Sequence, residues 1–473
     1  MPAAATTAPP FRWSEYLPWV VAALLLVALD FSSAGRRAVP QPLHADEAVQ
    51  WSLAKEMSEG VAYSQNDDRF HGPALAVITN AWFRLTGISF TKARPEDLRF
   101  IPGAFFLLLG LAPLALATVS RPVRWFTALL VLMTGAGTYF GDYFIQETLL
   151  VGGLVWGWLL WESAEGPSRL PLLGAGACFG FALACKVTVV AYLGCFLLAQ
   201  LALGRDRLTG SRLGWVGLGL LPVWACFQTA GFTDLAGLAA WAAQFQRSFS
   251  VAAGGADTLV ADRYGAWWTV GGLLVGAWLL RSTLGWRRVS ADVVLGSATL
   301  CFLFHLALPY KTPWLLFLPT ALVLTLVLPV LLSAAGWRAL AAAALAATFI
   351  DVSWRWGLGV RHTATLPSVV RFAEKVGQAQ VAWEAKHGAG SFYVAIKDGH
   401  YWPLPYYLRR QNVGFGEFAG DERAPVRLLM RTDASQPKIL GYETFPLALR
   451  AGENYWVLVA AELASQYGTD HDR

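Results

Sequence analysis

The stretch PLHADEAVQWSLAKEM, residues 42–57, places a histidine and two adjacent acids directly after the first long apolar run of the chain. That run, Leu17 to Phe31, lacks a small-residue cleavage site, so we predict a retained membrane span rather than a signal peptide. The acids Asp46 and Glu47 favour a helix N-terminus, because the positive end of the helix dipole attracts negative charge. The stretch therefore predicts a polar helix, 46–59, that follows the first span.

The composition indicates a polytopic membrane protein with a water-soluble C-terminal part. Hydrophobic residues make up 55% of the chain and charged residues only 15%, whereas a soluble protein carries about a quarter charged residues. The net charge of +5 comes largely from short loops, and the absence of a basic run argues against a nucleic-acid partner. The five cysteines lie in apolar segments without metal-ligand spacing, which predicts small buried side chains.

Apolar segments predict about eleven membrane spans of roughly 17–22 residues. The apolar run 170–204 is divided at Lys186, because a lysine in the middle of a bilayer is costly. The predicted spans are 17–33, 100–119, 125–141, 144–161, 170–185, 187–204, 213–230, 264–281, 292–309, 313–333 and 337–353.

The distribution of arginines predicts the orientation of these spans. With a cytoplasmic N-terminus, the short loops on that side are basic, as the positive-inside rule requires. They hold Arg121, Arg124, Arg169, Arg205, Arg207, Arg212, Arg281, Arg287, Arg288 and Arg338. Residues 34–98, 231–262 and 354–473 are then extracytoplasmic, in a multi-pass protein of the cell (inner) membrane.

The predicted architecture has two parts, a membrane module at 1–353 and a small extracytoplasmic α/β domain at 354–473. Within the first external loop, 34–98, two segments read as interfacial helices, 46–59 and 73–86. In the C-terminal domain we predict one helix, LPSVVRFAEKVGQAQVAWEAKH, and four short strands, SFYVAI, VRLLMR, KILGY and YWVLVAA.

Polar residues gather on the predicted outer face, which indicates one site at the membrane surface. Adjacent helical residues point about 100° apart, so Asp46 and Glu47 cannot act on one bond as an acid–base pair. Either one acts as a base while the other holds a partner group, or both are solvated capping acids. The gathered residues are His44, Asp46, Glu47, Asp67, Asp68, Arg69, His71, Asp142, Glu147, Lys186, Tyr310 and Lys311.

Four motifs give the chain a resemblance to a known group of enzymes. Together they resemble the GT-C superfamily of membrane glycosyltransferases, of the family 39 and dolichyl-phosphate-mannose protein mannosyltransferase type. The most similar group is the archaeal and bacterial "flippase activity-associated protein" group. The motifs are LHADEA at 43–48, FHGPALAVITNAWFRLTG at 70–87, YKTPW at 310–314 and GHYWPLPYYLR at 399–409, spread over nearly the whole chain.

This resemblance implies a glycosyltransferase that uses a polyprenyl-phosphate sugar on the outer face, with a glycan, lipid or protein as acceptor. By match of motif it implies Asp46 as the catalytic base and Glu47 as its support. One departure is Gln146 beside Glu147, where many relatives carry an arginine. The resemblance implies no cofactor, and the transfer chemistry is compatible with a divalent metal ion but does not require one. The alternative function is a non-catalytic transporter or flippase-associated subunit that handles lipid-linked sugars.

The remaining candidate residues each have a functional and a structural interpretation. A leaving phosphate needs cationic donors, which Lys186 and Lys311 would supply unless they are interfacial lysines that reach toward water. His71 binds phosphate or a metal, or it is a turn residue before a helix. Asp142 and Glu147 orient the acceptor or bind a divalent ion, or they are acids at a turn and a helix end. In the last motif the rings of Tyr401, Trp402 and Tyr406 stack on a sugar and Arg409 holds an anion, or the segment docks the soluble domain.

Overall fold

The computed structural model describes residues 42–65, 71–133, 141–164, 168–254, 264–283, 289–309, 313–335, 365–397, 401–416, 424–430, 436–450 and 453–467. Within these residues a helical bundle is followed by a mixed α/β unit that starts at Thr365. The predicted spans 17–33 and 337–353 lie outside the described residues. So do Asp67, Asp68, Arg69, Tyr310 and Lys311.

The described residues of the bundle are mostly helical. The helices are α1 (Ala45–Ser58), α2 (Ala74–Thr86), α3 (Pro95–Leu111), α4 (Arg121–Met133), α5 (Glu147–Ser163), α6 (Leu170–Cys185), α7 (Val189–Leu203), α8 (Gly210–Gln228), α9 (Gly237–Gly254), α10 (Tyr264–Thr283), α11 (Val289–Ala307), α12 (Phe317–Leu322) and α13 (Leu328–Ala335). A π-helical turn, Val323–Val327, joins α12 to α13 into one continuous helical segment.

Every predicted span from 100–119 to 313–333 overlaps a helix of the bundle, and residues 134–140 of the span 125–141 lie outside the described residues. By length and composition, three helical segments of the described chain could cross a membrane: Pro95–Ala115, Val289–Ala307 and Trp314–Ala334. The last is the centre of the bundle, because 94% of its apolar window is buried. The shorter apolar helices α6 and α7 meet at Lys186, the residue at which the sequence divides the run 170–204. The full number of spans stays a prediction.

The two helices of the first loop begin where their sequences provide a start signal. The Nδ1 atom of His44 accepts the backbone N–H of Asp46, and the Glu47 carboxylate accepts the backbone N–H of His44, which together cap α1. Helix α2 follows Pro73 and ends at Gly87, whose φ of 70° suits a residue without a side chain. Their bounds agree with the predicted helices 46–59 and 73–86.

Close contact between α6 and α8 depends on glycines. A Cβ at Gly176 would clash with the carbonyl oxygen of Val216, and one at Gly180 would clash with that of Leu220. On the facing helix, a Cβ at Gly219 would clash with the carbonyl oxygen of Leu173. Small residues are common at such contacts in membranes, because helix association there depends on close packing rather than on water exclusion. This pair fixes the end of α6, where Lys186 follows.

Arginines of the predicted cytoplasmic loops meet the far end of α5. The guanidinium of Arg207 pairs with Glu162, and that of Arg212 donates to the carbonyl of Trp161 at 2.6 Å. Helix α5 begins at Glu147, so these contacts lie about 22 Å along the helix from its first residue at 1.5 Å per residue. A separation of this size between the basic loops and Glu147 is what the predicted topology requires.

The C-terminal unit packs helices against one five-stranded sheet. The elements are α14 (Pro367–His387), β1 (Val394–Ile396), α15 (Leu404–Tyr407), β2 (Val413–Phe415), β3 (Val426–Met430), β4 (Tyr442–Arg450), β5 (Glu453–Ala460) and α16 (Ala461–Tyr467). Strands β1, β2 and β3 run parallel, and β5 and β4 continue the sheet antiparallel, in the order β2-β1-β3-β5-β4. The predicted strand KILGY is wrong, because Gly441 turns the chain there with a φ of 84°, and the strand begins at Tyr442.

Candidate active site

Four segments that are far apart in sequence meet at the start of α1. The backbone N–H of Gly72 donates to the carbonyl of Cys185 at 2.8 Å, at the end of α6. A Cβ at Gly72 would clash with the carbonyl of Ala184, so only glycine permits this approach. The amide of Gln146 bridges the carbonyl of Gly72 and the side chain of Gln50 on α1. Helix α1, the segment at Gly72, the turn before α5 and the α6–α7 turn thus form one cluster.

Glu47 is the buried centre of this cluster. Its side chain has no exposed surface and accepts hydrogen bonds from the backbone N–H groups of His44 and Phe144, both at 2.8 Å. Arg99 at the start of α3 donates to both carboxylate oxygens, from Nε at 2.8 Å and from Nη2 at 2.7 Å. Such a bidentate pair fixes both position and orientation. Glu47 thereby ties α1 to α3 and to the turn before α5.

Asp46 lies in a different environment from its neighbour. Its side chain is 43% exposed, and its carboxylate is 3.4 Å from the Tyr143 hydroxyl and 3.6 Å from His44 Nδ1. Because His44 Nδ1 accepts the backbone N–H of Asp46, we assign the 2.5 Å contact between Tyr143 and that nitrogen as donation by the hydroxyl. One carboxylate of the pair is thus buried and bound, while the other opens toward the surface.

Glu147 and Lys186 form a second ion pair in the cluster. The Nζ atom of Lys186 lies 2.7 Å from Glu147 Oε1, and both side chains are largely buried, with 14% and 9% exposure. Lys186 follows the last residue of α6, and Glu147 is the first residue of α5. Asp142, in the turn that precedes Tyr143, is exposed. The structure therefore brings Glu147 and Lys186 together and leaves Asp142 toward solvent.

The buried pair should show energetic coupling in a double-mutant cycle. We expect Lys186→Met and Glu147→Gln to destabilise the protein separately, with a coupling of about 2 kcal/mol, because each single change leaves one buried polar group without its counterpart. Thermal unfolding of the parent, both single variants and the double variant in detergent measures this coupling. Additive effects of the two changes would contradict a direct interaction.

His71 is held by its backbone, and its ring faces charged groups. Its carbonyl accepts the Tyr63 hydroxyl at 2.6 Å and the Gln244 amide, from α9, at 3.0 Å. Its Nδ1 atom is buried and has no hydrogen-bond partner among the described residues. Burial and the charge of Lys186 lower the pKa of His71 from its ordinary 6.5 to about 4, against the opposite effect of Glu147 and Asp46. The ring is therefore neutral near pH 7.

The lowered pKa of His71 predicts a specific dependence of stability on pH. The unfolded chain binds this proton below about pH 6.5 and the folded protein only below about pH 4, so the free energy of unfolding falls as the pH decreases through this window. We expect His71→Gln to remove about 1–3 kcal/mol of that fall between pH 7 and pH 4. Thermal unfolding of the parent and variant over this range measures it, and parallel curves would refute it.

The C-terminal motif docks against the membrane module. The guanidinium of Arg409 donates to the carbonyls of Thr91 at 3.1 Å and Ala93 at 3.0 Å, and it lies 4.1 Å above the Tyr406 ring. Tyr406 is buried, and its hydroxyl donates to the Ala93 carbonyl at 2.9 Å. These contacts fit the docking interpretation of Tyr406 and Arg409.

The two aromatic residues at the start of the motif lie between the two parts of the protein. Tyr401 packs on Phe415 and on Trp402, with ring centroids 4.8 and 5.7 Å apart. Trp402 packs against the core of the bundle, whereas Tyr401 packs against the core of the C-terminal unit. Both residues therefore join the two cores, and a role in sugar binding stays a prediction.

No metal-binding group of three or more histidine, cysteine, aspartate or glutamate residues occurs within the described part of the chain. Two residues of the cluster were missed by the sequence prediction. Arg99 lies just before the predicted span 100–119, and a lone arginine at such a position is typical of a residue at the membrane interface. Tyr143 stands next to Asp142, but a tyrosine at a membrane turn gives no signal of a partner. Arg99 contacts Glu47 and Tyr143 contacts His44, and these pairs are 52 and 99 positions apart in the sequence.

No protein-family model matches this sequence, and no curated protein matches it. The fold is similar to solved structures of GT-C glycosyltransferases. ArnT from Cupriavidus metallidurans bound to undecaprenyl phosphate superposes with a TM-score of 0.57 at 15% identity, over 94% of this chain and 98% of that one. The Archaeoglobus fulgidus oligosaccharyltransferase AglB, in complex with an inhibitory peptide and a dolichol-phosphate, has a TM-score of 0.50 at 12% identity, over 86% and 65%. The same archaeal enzyme in complex with Zn and sulfate has a TM-score of 0.52 at 12% identity, over 85% and 62%.

Proposed function

We propose that this protein is a membrane glycosyltransferase that transfers a sugar from a polyprenyl-phosphate donor to a glycan, lipid or protein acceptor on the extracytoplasmic face. The observation that carries the proposal is the division of the acidic pair, with Glu47 buried against Arg99 and Asp46 open to the surface. The fold supports it, because the similar structures include ArnT bound to undecaprenyl phosphate and AglB with a dolichol-phosphate.

In this proposal Asp46 is the general base of an inverting transfer. Its carboxylate takes the proton from an acceptor hydroxyl, and the hydroxyl oxygen forms a bond to the anomeric carbon of the sugar. The bond from that carbon to the phosphate oxygen breaks at the same time, and its electron pair leaves with the polyprenyl phosphate. Tyr143 and His44 lie next to the carboxylate and orient it. Glu47 supports the reaction by holding the start of α1.

The leaving phosphate gains negative charge, so its site requires a cation. We propose that Lys186 provides part of this positive charge, because it lies in the same cluster and its charge contributes to the lowered pKa of His71. Lys311 is proposed as the second cation, on the basis of its sequence motif. His71 is neutral near pH 7 and contributes a polar ring rather than a positive charge.

The finer assignments are part of the same proposal. We propose that the chain is related to the family 39 type and its flippase-associated group, on the basis of the motifs HADEA and FHGP. The N-terminus is cytoplasmic, the protein lies in the cell (inner) membrane, and the C-terminal unit is extracytoplasmic. The contact of that unit with the start of α1 supports placing both on the same side of the bilayer.

A transfer assay tests the proposed function. The purified protein in nanodiscs receives a panel of hexosyl and pentosyl undecaprenyl phosphates together with membrane lipid, glycan and peptide acceptors, with and without EDTA. We expect a new glycosidic bond, detected by mass spectrometry, with at least one donor. If no donor yields product, while proteoliposomes of the same protein move the lipid-linked sugar across the bilayer, the proposed reaction is wrong and the protein is a transporter.

A further inference from the structure

The backbone that leads into α1 is held by both parts of the protein. The N–H of Leu43 donates to the Tyr407 hydroxyl at 2.6 Å, and the carbonyl of Leu43 accepts the Thr365 hydroxyl at 2.6 Å. One residue earlier, the carbonyl of Pro42 accepts Arg99 Nη2 at 3.2 Å. Tyr407 and Thr365 belong to the C-terminal unit, so this unit contacts both polar groups of a fully buried residue in the membrane module.

Leu43 is connected to Asp46 by a short series of hydrogen bonds. The next residue, His44, is the N-cap of α1, and its backbone N–H donates to Glu47 at 2.8 Å. The His44 ring in turn accepts the backbone N–H of Asp46 at 3.0 Å and lies 3.6 Å from the Asp46 carboxylate. A shift of Leu43 therefore moves the N-cap, and the N-cap sets the environment of Asp46.

These two contacts are different from the contacts that dock the C-terminal unit. Tyr406 and Arg409 already join that unit to the loop around Ala93, and Tyr406 packs edge-on against Trp51 with ring centroids 5.3 Å apart. Thr365 is fixed within the unit, because its neighbour Leu366 donates to the carbonyl of Leu449 at 3.0 Å. Docking thus has its own residues, and the bonds to Leu43 are additional.

We propose that the C-terminal unit is a positioning element of the active site, in which Tyr407 and Thr365 hold Leu43 and thereby fix His44 and the direction of Asp46. This inference rests on the proposed function of Asp46 as the base. Burial raises the pKa of the Tyr407 hydroxyl, so the hydroxyl stays neutral and its bond to Leu43 does not depend on pH in the working range. The proposal adds two positioning residues, whose hydroxyl groups form their hydrogen bonds with the backbone of Leu43.

The test compares two adjacent tyrosines of the same motif. Tyr407→Phe removes the bond to Leu43, and Tyr406→Phe removes the docking bond to Ala93 and leaves Leu43 untouched. Thr365→Val removes the second bond to Leu43, and Thr365→Ser keeps the hydroxyl. The full-length variants are compared with the parent by hydrogen–deuterium exchange of the peptide 42–50, and by kcat and KM with the donor that gives most product in the undecaprenyl-phosphate panel.

We expect Tyr407→Phe and Thr365→Val to speed exchange in 42–50 and to lower kcat about tenfold or more, because small misplacements of a catalytic group are costly. KM for the donor should stay within about twofold, since the change acts on the base rather than on lipid binding. Tyr406→Phe and Thr365→Ser should resemble the parent in both measurements. If the motif had only a structural role, Tyr406→Phe and Tyr407→Phe would instead have similar effects on exchange and on kcat.

Two results would overturn the proposal. One is equal exchange in 42–50 for Tyr407→Phe and Tyr406→Phe, and the other is faster exchange with an unchanged kcat. The proposed function fails separately, when the parent transfers no sugar from any donor of the panel or when Asp46→Asn keeps full activity. If the parent transfers no sugar, the exchange measurement still decides whether Tyr407 and Thr365 hold the start of α1.

Discussion

Replacement of Asp46 by asparagine should lower kcat by about 10²- to 10⁴-fold, the range that general-base catalysis contributes. Asparagine keeps the size of the side chain and its place 3.4 Å from the Tyr143 hydroxyl, but it cannot take a proton from an acceptor hydroxyl. The side chain is 43% exposed, so the change should leave the free energy of unfolding within about 0.5 kcal/mol of the parent. The loss would therefore fall on the chemical step.

The matched control for this experiment is Glu59→Gln, just after the other end of α1. Glu59 is exposed and pairs with Lys55 at 2.8 Å, so the same chemical change occurs beside the same helix but away from the cluster. Initial rates with saturating donor, together with a thermal unfolding curve of each variant, separate activity from stability. Transfer by Asp46→Asn at the rate of the Glu59→Gln control would remove Asp46 from the mechanism.

Replacement of Glu47 by glutamine should destabilise the protein by about 3–5 kcal/mol, because it leaves the guanidinium of Arg99 buried without its negative partner. Glutamine offers one acceptor oxygen in place of two, so it cannot accept from Arg99, His44 and Phe144 as the carboxylate does. The expected result is a large fall in the unfolding temperature in detergent, with a reduced yield of monodisperse protein.

An exposed ion pair on the same helix provides the comparison. Lys55→Met breaks the Lys55–Glu59 pair, which lies at the surface and should cost about 0–1 kcal/mol. Arg99→Met, the reciprocal change at the buried pair, should be as harmful as Glu47→Gln, because it leaves a buried carboxylate. If Glu47→Gln were no worse than Lys55→Met, the Glu47–Arg99 pair would not stabilise the fold.

Local signals in the sequence were sufficient for most helices of the bundle and for most of the cluster. Long apolar runs mark the helices of the bundle, and the acids at 46–47 and the proline at 73 mark the two helices of the first loop. The clustering of Glu147 with Lys186 follows from topology, because turns on one side of a bilayer lie in one plane. The different directions of Asp46 and Glu47 follow from the helical repeat.

Other features depend on partners that local signals do not reveal. The ion pair of Glu47 with Arg99 joins residues 52 positions apart, and a lone arginine before an apolar span is equally typical of a side chain that reaches into water. The contact of Tyr407 with Leu43 is made to a backbone N–H, which carries no sequence signal. Helix α9, inside the predicted external loop 231–262, was not predicted, nor were β2 and most of β4. The strand prediction for KILGY failed because it rested on the two apolar residues Ile439 and Leu440, although Gly441 follows them.

The bonds to Leu43 also set an order of assembly during synthesis. Leu43 precedes its partners Thr365 and Tyr407 by 322 and 364 positions, so at 5–20 residues per second the ribosome reaches Tyr407 roughly 20 to 70 seconds after it has passed Leu43. Throughout that interval the growing chain can insert its apolar helices, yet the approach to α1 lacks the two hydroxyls that hold it. The start of α1 is thus made well before Thr365 and Tyr407, and it reaches its final geometry only after both have been made.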